Sequence, residues 1–130
     1  MIHIILADHH AQALWALNMM IHEQPGLEVI GEAVDAESLF ALAAEGFPEL
    51  VLVDGDLPGR PIEDLIAELH ALNPNITVIV MSSRPEEGRR VLRAGADAFV
   101  SKGDQPDWLL TSLQKFVKNA ERKEEARRND

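Results

Sequence analysis

Short apolar runs alternate five times with segments whose apolar residues recur at helical spacing, and this alternation narrows the possible folds most. Ile2-His3-Ile4-Ile5-Leu6-Ala7, Leu50-Val51-Leu52-Val53 and Ile76-Thr77-Val78-Ile79-Val80-Met81 are apolar almost throughout. A strand with one wet face would alternate polar and apolar residues. A run that is apolar on both sides suits a parallel strand covered by helices above and below. Leu27–Ala33 is more polar, as an edge strand would be, and Ala98-Phe99-Val100-Ser101 is the fifth run.

The intervening segments predict helices. Ala11–His22 carries Leu14, Leu17 and Ile21, with Trp15 and Met19 widening the stripe, and Pro25-Gly26 stops it. Asp35 is placed to cap a helix through Glu45, closed by Gly46 and Pro48. After a loop marked by Pro58, Gly59 and Pro61 come Ile62, Leu65, Ile66, Leu69 and Leu72. A fourth helix is expected from Pro85 to Ala94, ended by Gly95, and a fifth from Pro106, burying Leu109, Leu110, Leu113, Phe116 and Val117. Five strand–helix pairs describe an α/β fold, a doubly wound five-stranded parallel sheet, with expected strand order 2-1-3-4-5.

The 130 residues fit one domain, expected over 1–117, followed by a charged helical extension or linker over 118–130. That tail holds five basic and four acidic residues, a net +1, so residues 1–117 carry −11 of the total −10. So acidic a body repels a phosphate backbone, which argues against direct nucleic-acid binding by this segment. No apolar run approaches the roughly 18 residues of a membrane span. The chain has no cysteine, which removes thiol chemistry and fits a cytoplasmic protein.

The polar residues of chemical interest stand where the runs end. Asp8 and His9 follow the first, Asp54 and Asp56 the third, Ser82 and Ser83 the fourth, and Lys102 the fifth. In an open parallel sheet these carboxyl ends share one edge, where such folds hold ligands. The set suits phosphoryl chemistry. Asp54 is an oxygen nucleophile, Asp8 and Asp54 are hard ligands for Mg²⁺, and Lys102 can pair with a carboxylate or a phosphoryl oxygen. Ser82 can donate a hydroxyl hydrogen bond to another such oxygen.

The runs PELVLVDGDLPG (Pro48–Gly59), VIVMSS (Val78–Ser83), GADAFVSK (Gly95–Lys102) and ILADHH (Ile5–His10) together resemble the diagnostic segments of bacterial response regulator receiver domains. The pattern is nearest to receivers of regulators with helix-turn-helix outputs. The resemblance implies a flavodoxin-like fold and a phosphoryl group taken from a partner histidine kinase onto Asp54. Lys102 and Ser82 would follow that group, and Phe99 would be the aromatic switch residue. Mg²⁺ would be held by Asp8, Asp54 and the backbone carbonyl of Asp56. It also implies a homodimer or a C-terminal DNA-binding output domain outside this chain, in transcription regulation.

His9 departs from the pattern, standing where the family has its second acid. Imidazole is a poor Mg²⁺ ligand beside carboxylate, so weak Mg²⁺ binding is expected unless the Asp56 side chain turns inward.

Plainer readings compete. Asp54 and Lys102 can form a structural ion pair, Ser82 can be a turn residue, and Phe99 is apolar core under any reading. A zinc site at His9 and His10 is not expected, because adjacent histidines project differently and no ligand spacing motif is present. His22 and His70 are expected to face solvent. No GxGxxG or GxxxxGK[ST] occurs. Besides a phosphorylated signalling module, the sequence admits a phosphorylation-independent pseudo-receiver used for docking or dimerisation, which His9 favours. A hydrolase is disfavoured by short loops and the lack of an acid–base partner. Arg84, Arg89, Arg90 and Arg93 are expected to form a basic contrast face beside the fifth strand.

Overall fold

The computed structural model describes residues 1–103 and 106–128, and within the last helix the side chains of 109–119, 122 and 126. The strands are β1 (Ile2–Ala7), β2 (Leu27–Ala33), β3 (Leu50–Asp54), β4 (Thr77–Ser82) and β5 (Ala98–Ser101). They form one sheet in the order β2-β1-β3-β4-β5, and every pairing is parallel. The helices are α1 (Ala11–His22), α2 (Ala36–Gly46), α3 (Ile62–Leu72), α4 (Gly88–Arg93) and α5 (Pro106–Arg128), with a 3₁₀ turn at Pro85–Glu87 before α4. Among the described residues, no helix is long and apolar enough to cross a membrane.

Strand periodicity sorts the core into two layers. Ile5, Ala7, Val51, Val53, Val78 and Val80 pack on one side with Leu39 of α2, Leu65, Ile66 and Leu69 of α3, and Val91 of α4. Ile4, Leu6, Leu50, Leu52, Ile79 and Met81 pack on the other with Leu14 and Ile21 of α1 and Leu109, Leu113 and Val117 of α5. Each central strand therefore buries both faces, which is why its sequence is apolar without alternation. β2 is indeed at an edge, and Glu28 and Glu32 on it are exposed.

The helix ends depart from expectation in informative ways. Asp35 caps α2 by accepting the Ser38 N–H at 2.8 Å, as expected of an N-cap. The C-terminal left-handed residue is Phe47 (φ 48), one position beyond the glycine. Gly46 is instead the last helical residue, and a Cβ there would sit 2.9 Å from Ile30 Cδ1. Close approach to β2, rather than a left-handed cap, thus explains that glycine. The segment expected as one helix from Pro85 to Ala94 is divided into a 3₁₀ turn and a six-residue helix. Gly88 lies at the junction, where a Cβ would meet the Phe99 ring at 3.0 Å.

His22 is exposed, but His70 is not free in solvent. Its Nε2 lies 3.1 Å from the Ile76 carbonyl and 3.5 Å from Asp97, tying α3 to the segment before β4. Asp97 also accepts the Val78 N–H at 2.7 Å. The basic face is likewise reduced. Arg84 pairs with Asp56 and Glu87, and Arg90 with Glu63 and Glu87. All four arginines are nevertheless exposed, Arg89 and Arg93 among them.

Candidate functional site: two carboxylates and a lysine at the sheet edge

Strand order determines what meets at this site. β1 and β3 are neighbours, and their helices leave toward opposite layers, so a crevice opens at their carboxyl ends. Ala7 is in register with Val53, which sets Asp8 beside Asp54. On the other flank, Ser82 is paired with Ser101, and the Lys102 N–H donates to the Ser82 carbonyl at 2.8 Å. That bond points the Lys102 side chain back over the sheet end.

Both carboxylates are buried, Asp8 at 0% and Asp54 at 2% relative exposure. The Lys102 Nζ bridges them, 2.9 Å from Asp8 Oδ2 and 3.2 Å from Asp54 Oδ2. Two buried anions side by side require such a cation. Burial alone would raise the Asp8 pKa. Hydrogen bonds from Lys102 and the His10 backbone outweigh it and hold the carboxyl below its ordinary 3.8. Burial would likewise lower Lys102, but its bond to Asp8 and the Asp54 charge hold its pKa above 10.5.

The remaining oxygens are assigned individually. Asp54 Oδ1 accepts the Asp56 N–H at 3.1 Å. Asp8 Oδ1 accepts the His10 N–H at 2.9 Å and lies 3.1 Å from His10 Nδ1. His9 Nδ1 stands 3.5 Å from Asp54 Oδ2 and 4.0 Å from Asp8 Oδ1. The Asp56 carboxylate faces away from this cluster, paired with Arg84. It does not turn inward to replace the missing acid. The Ser82 hydroxyl donates to Glu87 at 3.1 Å and accepts the Arg84 N–H at 3.0 Å. Phe99 is partly buried in the core and lies against Gly88.

Asp8, Asp54 and Lys102 therefore converge and His9 joins them, while Ser82, fully buried at the end of β4, is bonded to Glu87. Two participants were not assigned from sequence. His10 was legible in principle, because an aspartate whose carboxylate accepts the N–H two residues on makes an Asx turn, which draws residue i+2 to it. Glu87 carried no local signal; it is significant only because the 3₁₀ turn brings it to Ser82, Arg84 and Arg90.

A doubly wound parallel sheet with buried aspartates at the ends of β1 and β3 and a lysine after β5 defines the receiver class of α/β domains. The chain belongs to the response regulator receiver domain family, whose model matches residues 4–114. It is 30% identical over 112 residues to the nitrate/nitrite response regulator protein NarL of Escherichia coli (strain K12), covering 85% of this chain and 52% of that protein. It is also 30% identical over 116 residues to the response regulator GacA of Pseudomonas aeruginosa, covering 88% of this chain and 54% of GacA. The chain thus spans about half the length of these curated relatives. Among solved structures, a CheY-like receiver domain protein from Methanospirillum hungatei JF-1 superposes with a TM-score of 0.83 at 26% identity, covering 95% of this chain and 98% of that one.

Receiver domains generally bind Mg²⁺ at an acidic site. Among the described residues, the side-chain group within reach is Asp8, His9, His10 and Asp54, so two of its four ligand atoms are imidazole nitrogens. That mixed set does not match the oxygen environment Mg²⁺ demands.

Proposed function

We propose that this domain accepts a phosphoryl group on Asp54 from the phosphohistidine of a sensor kinase and relays the change through β4, β5 and α4 to an output domain or protein partner in transcription regulation. The observation that carries this reading is the Lys102 ammonium placed within 3.2 Å of both buried carboxylates. In the transfer, an Asp54 carboxylate oxygen attacks phosphorus, the P–N bond to the kinase imidazole breaks, and that imidazole leaves with its electron pair and takes a proton from solvent. Lys102 follows the incoming charge to a phosphoryl oxygen.

Ser82 has a defined route into the same event. Its hydroxyl is held by Glu87, at the end of the 3₁₀ turn. Rotation of that hydroxyl toward a phosphoryl oxygen would release Glu87 and loosen the turn preceding α4. The proximity of Gly88 and Phe99 supports a switch role for Phe99 in this relay. A two-state element biased by a local charge is what a phosphorylation switch requires. We take residues 1–117 as the receiver unit, since Val117 is the last side chain of α5 known to be buried, and 118–130 as an extension from it. Mg²⁺ binding at this site is weak on this reading, because His9 supplies imidazole where a third acid would serve.

The test is labelling with a small-molecule phosphodonor followed by intact mass. Wild type should gain one phosphoryl group, and Asp54→Asn none. Equal labelling of Asp54→Asn, or no labelling of either protein, would count against the reading. His9 and the outward-turned Asp56 favour one alternative, a pseudo-receiver that docks or dimerises without phosphorylation. A chain that never labels yet still associates would establish it.

A further inference from the structure

The two histidines after β1 do not splay apart. His10 has extended backbone (φ −96, ψ 115), and its N–H is gripped by Asp8 Oδ1 at 2.9 Å, which folds the turn back on the carboxylate. The two imidazole rings stack loosely, with centroids 3.8 Å apart and planes tilted by 42°. Each ring then turns a nitrogen to an aspartate, His10 Nδ1 at 3.1 Å from Asp8 Oδ1 and His9 Nδ1 at 3.5 Å from Asp54 Oδ2. One ligand atom from each of the four residues lies within 4.8 Å of every other. The expectation that adjacent histidines diverge, which argued against a zinc site, does not hold in this turn.

Two imidazole nitrogens with two carboxylate oxygens are the donor set of a borderline divalent cation rather than of Mg²⁺. Zinc–ligand distances of about 2.0–2.2 Å separate neighbouring tetrahedral donors by roughly 3.3–3.5 Å. The histidine–aspartate separations of 3.1, 3.5 and 4.0 Å bracket that value, and all four donors fall within 4.8 Å of one another. The carboxylates already face two sides, the Lys102 ammonium and the two imidazoles. Asp8 turns Oδ2 to Lys102 and Oδ1 to the histidines, while Asp54 Oδ2 lies between Lys102 and His9. The aspartates are buried and the rings are partly exposed, so the donors are held from below and the cluster is open from above.

We propose that Asp8, His9, His10 and Asp54 form a binding site for one zinc-class divalent cation, with affinity well above that for Mg²⁺. The proposal rests on this geometry and stands whether or not Asp54 accepts a phosphoryl group.

Calorimetric titration of the untagged full chain with Zn²⁺ and with Mg²⁺ tests it directly. One Zn²⁺ per chain should bind, at least about 100-fold more tightly than Mg²⁺. His9→Ala and His10→Ala should each weaken Zn²⁺ by about 10-fold or more. His22→Ala, on the exposed end of α1, should leave it unchanged. The His10 side chain makes no capping bond to α1 and both rings are exposed, so these variants should fold, which a melt without metal verifies. Co²⁺ provides an independent readout: a tetrahedral site gives a strong visible absorption, which the His10→Ala protein should lack. Zn²⁺ no tighter than Mg²⁺, wild-type affinity in His9→Ala or His10→Ala, or a loss in His22→Ala would each overturn the proposal.

Discussion

Lys102 is the residue on which the site's electrostatics depend. It is 29% exposed and bridges carboxylates that are almost fully buried. Removing one partner of a fully buried ion pair costs about 3–5 kcal/mol. Because solvent reaches Lys102, Lys102→Met should cost less, about 2 kcal/mol, measurable by urea denaturation with chelator present. The pKa shifts fix the shape of the pH profile. Asp8 is lowered, so its contribution is present above the ordinary 3.8 and is lost as pH falls through its lower folded value. Lys102 is raised, so its contribution is complete below 10.5 and is lost as pH rises through its higher folded value. Both limbs report the same pair. The contribution of this pair should therefore be constant between them, and Lys102→Met should remove its alkaline limb and shrink its acid one. An alkaline limb unchanged in that variant would assign it to another group.

At the scale of elements, most of the fold was legible because strand and helix periods do not resemble one another. β1, β2, α1 and α3 lie where their apolar patterns place them, since each pattern is long and its ends carry a turn, a proline or a cap. The α4 region was less legible. Gly88 packs against Phe99, a contact between residues 11 apart that helical periodicity does not signal, and it lies where the 3₁₀ turn gives way to α4. Gly46 was read as a stop signal, yet its role is close approach to Ile30. Two substitutions test these local assignments. Asp35→Ala removes the bond to the Ser38 N–H and should cost about 1 kcal/mol. Gly59→Ala places a Cβ on a residue with φ +114 and 3.2 Å from the Ala36 Cβ, and should cost roughly 1–3 kcal/mol. If thermal melts show Asp35→Ala to be neutral, the Ser38 N–H has found another partner.

For the whole molecule, sequence located the shared sheet edge but not the partners chosen there. That Asp8, Asp54 and Lys102 would meet follows from strand ends in a parallel sheet. That Asp56 would be claimed by Arg84, and Ser82 by Glu87, depends on side-chain directions across the β4–α4 loop, which no periodicity encodes. All four arginines of that face are exposed, and Arg84 and Arg90 are engaged by these carboxylates, on a chain of net charge −10; Arg89 and Arg93 are the other two. Neutralising both should shift self-association or partner binding in sedimentation while changing the melting temperature little, because exposed charges contribute less than about 1 kcal/mol each. A large fall in melting temperature with unchanged sedimentation would place these arginines in the support of the fold instead. The most direct measurement of the central claim is chemical mapping of the acyl phosphate. The chain is exposed to phosphodonor, reduced with borohydride, digested, and the peptide spanning Asp54 sequenced by mass spectrometry. Reduction at position 54, absent without donor and absent in Asp54→Asn, is the predicted result; reduction at Asp8 or Asp56, or at no aspartate, would contradict the account.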